Sequence, residues 1–242
     1  MQPKIIKKDT LHIIGLTGDG GNTGEVWNEF DRRYKENPFP KADENGYEIR
    51  FYDGEKSAPQ HGDIHVGFLT KSNEKMAGFD IAVIPATEYA IFDVYVAKGY
   101  DSGNAEMDNW LADNAMLLKG LEIKGNGFII EHYNEKFKDG DKPDSIVEMW
   151  LPFYRFCQSC YMPMTKSEKC GTEADGSPSR NYCCYCYTDG NFITKQTLEE
   201  AVEDNIQFWR KDGDKSDDEA RVRILEVFPK LKRWAIGTVK LK

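Results

Sequence analysis

Apolar and polar positions along the chain follow two periods, roughly 2 and roughly 3.6, in an order that repeats. LHIIGL (11–16) is a short apolar strand, and NTGEVWNEFDRRYKEN (22–37) follows with Val26, Trp27, Phe30 and Tyr34 on one helical face and Asn22 and Glu25 at capping spacing. YEIRFYDG (47–54) and DIHVGFLT (63–70) alternate as strands on either side of a loop that contains Pro59 and Gly62. The same order then returns. FDIAVIPATEYAIFDVYV (79–96) reads as extended, NAEMDNWLADNAMLLKG (104–120) predicts a helix that buries Met107, Trp110, Leu111 and Leu118, and FIIEHYNE (128–135) and SIVEMWLPF (145–153) close the set. Residues 1–154 therefore read as one α+β domain built from a duplicated βαββ module, with repeats over about 4–72 and 76–154.

Beyond residue 154 the pattern changes. All six cysteines lie between 157 and 186, and Cys157-x-x-Cys160 and Cys183-x-x-Cys186 are separated by 22 residues, a spacing that closes a tetrahedral zinc site. A disulfide framework would spread its cysteines along the chain. Cys184 lies inside the second knuckle and Cys170 in the connecting loop, so both fall outside the ligand set. Four thiolates leave zinc no open position, and one structural ion is expected. TLEEAVEDNIQFWRK and SDDEARVRILEVFPKLKRW carry capping boxes at Thr197/Glu200 and Ser216/Glu219, followed by the apolar stripes Val202, Ile206, Trp209 and Ile224, Phe228, Leu231. Residues 155–242 thus divide into a zinc ribbon (155–192) and a helical pair (197–234), the second helix ended or kinked by Pro229.

Laying the two modules over each other sets Arg50 against Glu131, Tyr52 against Tyr133, Val66 against Glu148 and Phe68 against Trp150. In SIVEMWLPF the face that carries Glu148 also carries Ile146 and Trp150; in FIIEHYNE the face that carries Glu131 also carries Ile129 and Tyr133. A carboxylate beside aromatic rings suits a flat, hydrophobic cation, and a cleft between the modules is the expected place for it. The bland alternative leaves Glu131 satisfied by Arg50 or a backbone donor, and Glu148 by a tyrosine or by solvent.

VIPATEYAIFDV (83–94), FIIEHY (128–133) and VEMWLPF (147–153) resemble, in order, the motifs of the gyrase-inhibitor-like effector-binding domain found in many AraC-type and MerR-type regulators. Ala86-Thr87-Glu88 replaces that family's usual small-Gly-Arg step. The resemblance implies an antiparallel sheet with two helices and a pocket for lipophilic, often cationic compounds. Glu148 and Glu131 would be its acids, and Trp150, Tyr133, Tyr89, Trp110, Tyr52 and Phe68 its walls. Some stand-alone members resemble hydrolases of strained compounds, so Glu131 and Glu148 acting as acid and base form the rival reading, with binding preferred. Cys157 to Phe192 is similar almost continuously to a zinc-ribbon family in which Gly usually stands at the position of Tyr161.

Composition narrows the partners. The 242 residues carry a formal charge of −9, and the excess is confined to 1–154, with 17 Lys and Arg against 27 Asp and Glu. An acidic domain concentrates cations. Residues 221–242 hold seven basic residues (Arg221, Arg223, Lys230, Lys232, Arg233, Lys240, Lys242) against Glu226, a pattern also shown by solvated helix faces, so nucleic acid is not the expected partner. A protein partner reached through the zinc half, as an adaptor, is the third reading. GLTGDGGNTG (15–24) lacks the endings of phosphate loops and reads as a turn at a pocket mouth. With no apolar run near the roughly 18 residues of a membrane helix and no signal-like start, the cytoplasm is the expected compartment. The first strand read from the pattern begins at Leu11, which leaves no room before it for a helix-turn-helix and argues against a transcription activator of the usual layout.

Overall fold

The computed structural model describes residues 2–52, 63–71 and 73–235. The loop with Pro59 and Gly62, and Lys240 and Lys242 of the basic tail, lie outside the described residues. The chain divides into two compact units, Met1–Asp113 with Gly120–Phe153, and Asn114–Lys119 with Tyr154–Lys242.

The first unit opens with β1 (Lys4–Lys8), β2 (Leu11–Asp19), α1 (Thr23–Glu36), β3 (Gly46–Tyr52) and β4 (Asp63–Thr70). The chain continues with β5 (Asp80–Ile84), β6 (Thr87–Tyr95), α2 (Asp101–Asp113), two short strands β7 (Leu118–Gly120) and β8 (Glu122–Ile123), then β9 (Asn126–Tyr133) and β10 (Ile146–Phe156), of which Leu118, Lys119 and the residues from Tyr154 on belong to the second unit. The βαββ order occurs twice, as expected. One strand, β1, is missing from the sequence reading, and the second helix is shorter than predicted. It ends at Asp113, and Leu118 is buried from β7 rather than from a helix face.

The sheet runs β1-β6-β10-β9-β3-β4-β2-β5, and its principal pairs are antiparallel. Each half lends its first strand to the other: β1 pairs with β6, and β5 with β2. Both lending strands are followed by a two-residue break, Asp9-Thr10 and Pro85-Ala86, so the halves align from these breaks. Followed inward, Thr17 aligns with Asp93; Thr17 pairs with His65 and Asp93 with Glu148; His65 pairs with Ile49 and Glu148 with His132. His65 is therefore the counterpart of Glu148, and Glu48 the counterpart of Glu131. The sequence overlay, which set Val66 against Glu148 and Arg50 against Glu131, is corrected by one residue in β4 and by two in β3.

Two faces follow from the alternation. On one, α1 covers Ile14, Leu16, Ile64, Val66 and Phe68 with Phe30, Tyr34 and Trp27. On the other, Leu11, Ile13, Tyr47, Ile49, Tyr89, Ile91, Phe128, Ile130 and Trp150 form a core to which both halves contribute. β2 and β4 cross closely at the Gly15–Gly67 pair. A Cβ on Gly15 would lie 1.7 Å from the Val66 carbonyl oxygen, and one on Gly67 would lie 2.2 Å from that of Ile14.

In the second unit β11 (Pro163–Met164) pairs with the end of β10, β12 (Cys170–Thr172) pairs with β13 (Pro178–Cys183), and β14 (Tyr187–Thr188) forms a hairpin with β15 (Asn191–Phe192). The hairpin turn is Asp189-Gly190, both at positive φ (48° and 77°), the conformation that a two-residue loop of this kind requires. α3 (Leu198–Trp209) begins with the Thr197/Glu200 capping box, complete in both directions. α4 (Asp217–Val227) uses Ser216 to cap Asp218, while Glu219 accepts from the Lys215 amide. A 3-10 turn at Phe228–Lys230 follows, as Pro229 dictates, and α5 (Lys232–Ala235) ends the described chain. Ala201, Val202, Ile206, Ala220, Ile224, Phe228 and Leu231 form the core of the helices. Met116 packs against it, Gln158 Nε2 donates to the Met116 carbonyl at 3.0 Å, and the Phe156 amide donates to Leu117 at 2.8 Å. The second unit is thus discontinuous in sequence.

Gly15→Ala is expected to destabilise the protein by about 2–3 kcal/mol in denaturant unfolding, because backbone must move to admit the methyl group. Gly24→Ala, in α1 with open space around the Cβ, is expected to raise stability by up to about 1 kcal/mol in the same assay.

Candidate functional site

The central strands β3 and β9 bring two acids face to face. Glu48 is the register partner of Glu131, and their side chains are only 0% and 4% exposed. Directly opposed like charges destabilise a sheet unless something answers them. Arg50 does so in part: its Nε donates to Glu131 Oε1 at 2.6 Å, and its Nη2 stands 2.5 Å from Glu48 Oε1 as an ion contact outside hydrogen-bond geometry. The other oxygens are held by neutral donors. Trp27 Nε1 donates to Glu48 Oε2 at 2.8 Å, and the Tyr133 hydroxyl lies 2.8 Å from Glu131 Oε2 and 3.3 Å from Glu48 Oε2.

Each element places its group for a local reason. The turn that leads from β2 into α1 is fixed by Asp19, which accepts from the Gly21 amide, and it delivers Thr23, whose hydroxyl accepts from Arg50 Nη2 at 3.0 Å. One helical turn later comes Trp27, edge-on to Tyr133 at 5.8 Å. Tyr100, just before α2, reaches the Tyr133 hydroxyl. Two acids share one guanidinium here, so the cluster carries more negative than positive charge beneath aromatic rings. Burial, then the neighbouring Glu131 charge, pushes Glu48 up to about 7 against the pull of Arg50. Burial likewise pushes Tyr52 up to about 12, with Glu131 adding to it, and drives Tyr133 well above the usual tyrosine range.

Glu148 lies on the opposite face. Its register partners are His132 and Asp93, whereas Met149 stands opposite Glu131. Glu148 accepts from Lys136 Nζ at 2.8 Å and from Trp150 Nε1 at 3.1 Å, and it stands 3.0 Å from His132 Nδ1. Burial pushes its carboxyl up, but these three contacts outweigh burial and hold it at about 2. Lys136 also bridges Asp93 at 3.0 Å, and Lys8 sits 5.3 Å over the Trp150 ring.

The structure therefore separates the residues expected to share one cleft. Glu131, Tyr133 and Tyr52 lie with the Glu48 pair, while Trp150 and Tyr89 lie with Glu148, their rings 5.6 Å apart. Phe68 packs into the core under α1, and Trp110 packs edge-on to Phe92 and Phe153. Glu131 and Glu148, on opposite sides of the sheet, do not form an acid–base pair on one bond. Sequence reasoning missed Glu48, Trp27 as a donor, Thr23 and Tyr100. Glu48 was discoverable, because YEIRFY and FIIEHY each carry one acid among aromatics.

In the second unit the Sγ atoms of Cys157, Cys160, Cys183 and Cys186 all lie within 4.8 Å of one another, with Cys160 and Cys183 3.7 Å apart. Four thiolates about 2.3 Å from a tetrahedral ion would stand about 3.8 Å apart, so the set fits such a metal. The Cys183 amide donates to Cys157 Sγ at 3.3 Å, the kind of support a thiolate ligand uses. Tyr161 follows the first knuckle at φ 62°, which accounts for the glycine usual at that position.

Residues 156–235 match the family described as "Putative zinc ribbon domain". The transcriptional regulator BrlR of Pseudomonas aeruginosa is 25% identical over 164 residues, covering 64% of this chain and 56% of that protein, so the chain spans a little over half of that relative. Among solved structures, SAV2435 bound to tetraphenylphosphonium aligns with a TM-score of 0.43 at 14% identity, over 63% of this chain and 94% of that one. The EcmrR C-terminal domain aligns at 0.48 and 12%, over 63% and 96%. The resemblance carried by the motifs, a gyrase-inhibitor-like module followed by a zinc ribbon, holds. BrlR is a regulator of transcription, and the expectation that nucleic acid is not a partner finds no support in it. Among the described residues no helix is long and apolar enough to cross a membrane.

A raised Glu48 pKa means that the folded protein holds a proton the unfolded chain releases above about 4.5. Its contribution to stability is fullest below that value and is lost as pH rises through about 7. Buried His65 and His132, whose pKa values burial lowers, contribute in the opposite sense, so the Glu48 contribution is read as a difference: from pH 5 to pH 8 the unfolding free energy of the wild type is expected to fall by about 2–3 kcal/mol relative to that of Glu48→Gln.

Proposed function

We propose that the first unit binds an amphipathic aromatic cation at the Glu48–Glu131 pair, as a sensor or sequestering protein. The observation that carries this reading is the incomplete charge balance: two buried carboxylates share one guanidinium, with Trp27, Tyr133, Tyr100 and Tyr52 half-buried around them. A cation that brings its own rings supplies the missing charge and covers the aromatic surface in one step. The opposite face offers less, because both Glu148 oxygens have hydrogen-bond partners, Oε1 in Lys136 and Oε2 in His132 and Trp150, whereas Glu48 Oε1 has none. Similarity to a transcriptional regulator supports a sensing role. The four cysteines would hold one zinc ion that folds the ribbon and supplies no reactive position.

A thermal-shift titration with a cationic aromatic dye tests the site. The melting temperature is expected to rise in the wild type and in Glu148→Gln, and to rise much less in Glu48→Gln and Glu131→Gln. A shift lost only in Glu148→Gln would move the site to the other face. Metal analysis is expected to find one zinc per chain, and none in Cys157→Ser.

A further inference from the structure

The proposed site holds a cation of its own, and the way that cation is bound indicates what else would fit. Arg50 points Nε at one carboxylate and Nη2 at the other, 2.6 Å and 2.5 Å from their Oε1 atoms, while Thr23 Oγ1 accepts a hydrogen bond from Nη2 at 3.0 Å. The Oε2 atoms are taken up by Trp27 and Tyr133, so the two Oε1 atoms of the pair are left to one guanidinium. Glu48 Oε1 is buried and has no hydrogen-bond partner, close as Arg50 comes. A permanently alkylated cation brings charge to this position but no N–H, and would leave that oxygen unsatisfied.

The twofold relation of the halves adds a second observation. The counterpart of Arg50 is Tyr133, a neutral donor, so the guanidinium is present on one side of the pair only. Its side chain is 28% exposed, against 0% and 4% for the acids it serves, which leaves it the member able to swing outward.

We infer that Arg50 occupies the ligand's cationic position, and that the site selects planar cations that donate N–H bonds, guanidines and amidines carrying an aromatic group, which enter by displacing Arg50. This rests on the reading of the Glu48–Glu131 pair as the binding site. The ligand's planar head replaces Arg50 between the carboxylates, its ring lies against Trp27 and Tyr133, and the displaced guanidinium returns to water. Arg50 then acts as a built-in competitor that sets the affinity.

Calorimetric titration with two probes of equal charge, phenylguanidinium and phenyltrimethylammonium, tests this on the full chain. The wild type is expected to prefer phenylguanidinium by about tenfold or more, the worth of one charge-assisted hydrogen bond. Arg50→Met is expected to bind phenylguanidinium at least about tenfold tighter than the wild type, with a much smaller gain for phenyltrimethylammonium, and Glu48→Gln to lose the preference. Equal affinity for both probes, abolished by Glu48→Gln, would overturn the selectivity and leave the site standing. Binding of neither probe to wild type and Arg50→Met, both folded by circular dichroism, would overturn the site itself. If Arg50→Met fails to fold, the wild-type preference and its loss in Glu48→Gln decide the question alone.

Discussion

The first unit is organised around two carboxylates opposite each other on its central strands, out of water, with one guanidinium between them. A sheet can hold Glu48 across from Glu131 only if neighbouring elements supply donors and positive charge at that level. The turn into α1 supplies Thr23, the first turns of that helix supply Trp27, β9 itself supplies Tyr133, and β3 supplies Arg50. Ile49 and Ile130, next along the same strands, point the other way and lock the pair into the opposite core. The position of the acids thus fixes the register of the middle of the sheet, and through it the placement of both helices.

The two faces answer the same problem differently. Glu148 is held by an ammonium, an imidazole and an indole, and Lys136 spans it and Asp93; Asp93 and Lys136 are 40% and 38% exposed, so water screens the remaining charge. The Glu48 pair is left one cation short and keeps Glu48 poised to exchange a proton near neutrality. A shortfall open to water makes a structural contact; a buried one beneath aromatic rings makes a place for something else.

Much of this was legible in the sequence. The doubled βαββ order, the two CxxC knuckles and the capping box at Thr197 rest on local signals, spacing and period, that tertiary contacts did not override. What failed has a physical reason in each case. β1 reads KIIKK, and a strand with lysines at both ends signals an exposed edge rather than a core element. The β3 overlay slipped by two residues, a shift that preserves the inside–outside alternation and so leaves no mark in the pattern. That slip hid Glu48 behind Arg50. The β4 overlay slipped by one, which turns every side chain to the wrong face and brought Glu148 and Glu131 into one imagined cleft. The predicted tail of the second helix was read from apolar spacing alone, whereas Met116 and Leu117 serve the second unit.

The exchange of first strands between the halves has a consequence for how such a site can arise. A half of this kind cannot complete its own sheet: β1 has its partner in the other half, and so does β5. Two identical copies would therefore satisfy each other as a homodimer, with the same glutamate repeated across a true symmetry axis. Any residue placed beside one acid would then appear beside both. Joining the halves in one chain removes that restriction, and an arginine can face a tyrosine across the axis. The asymmetry that gives the acid pair a charged side and a neutral side is open to a fused molecule and closed to a symmetric dimer of identical halves.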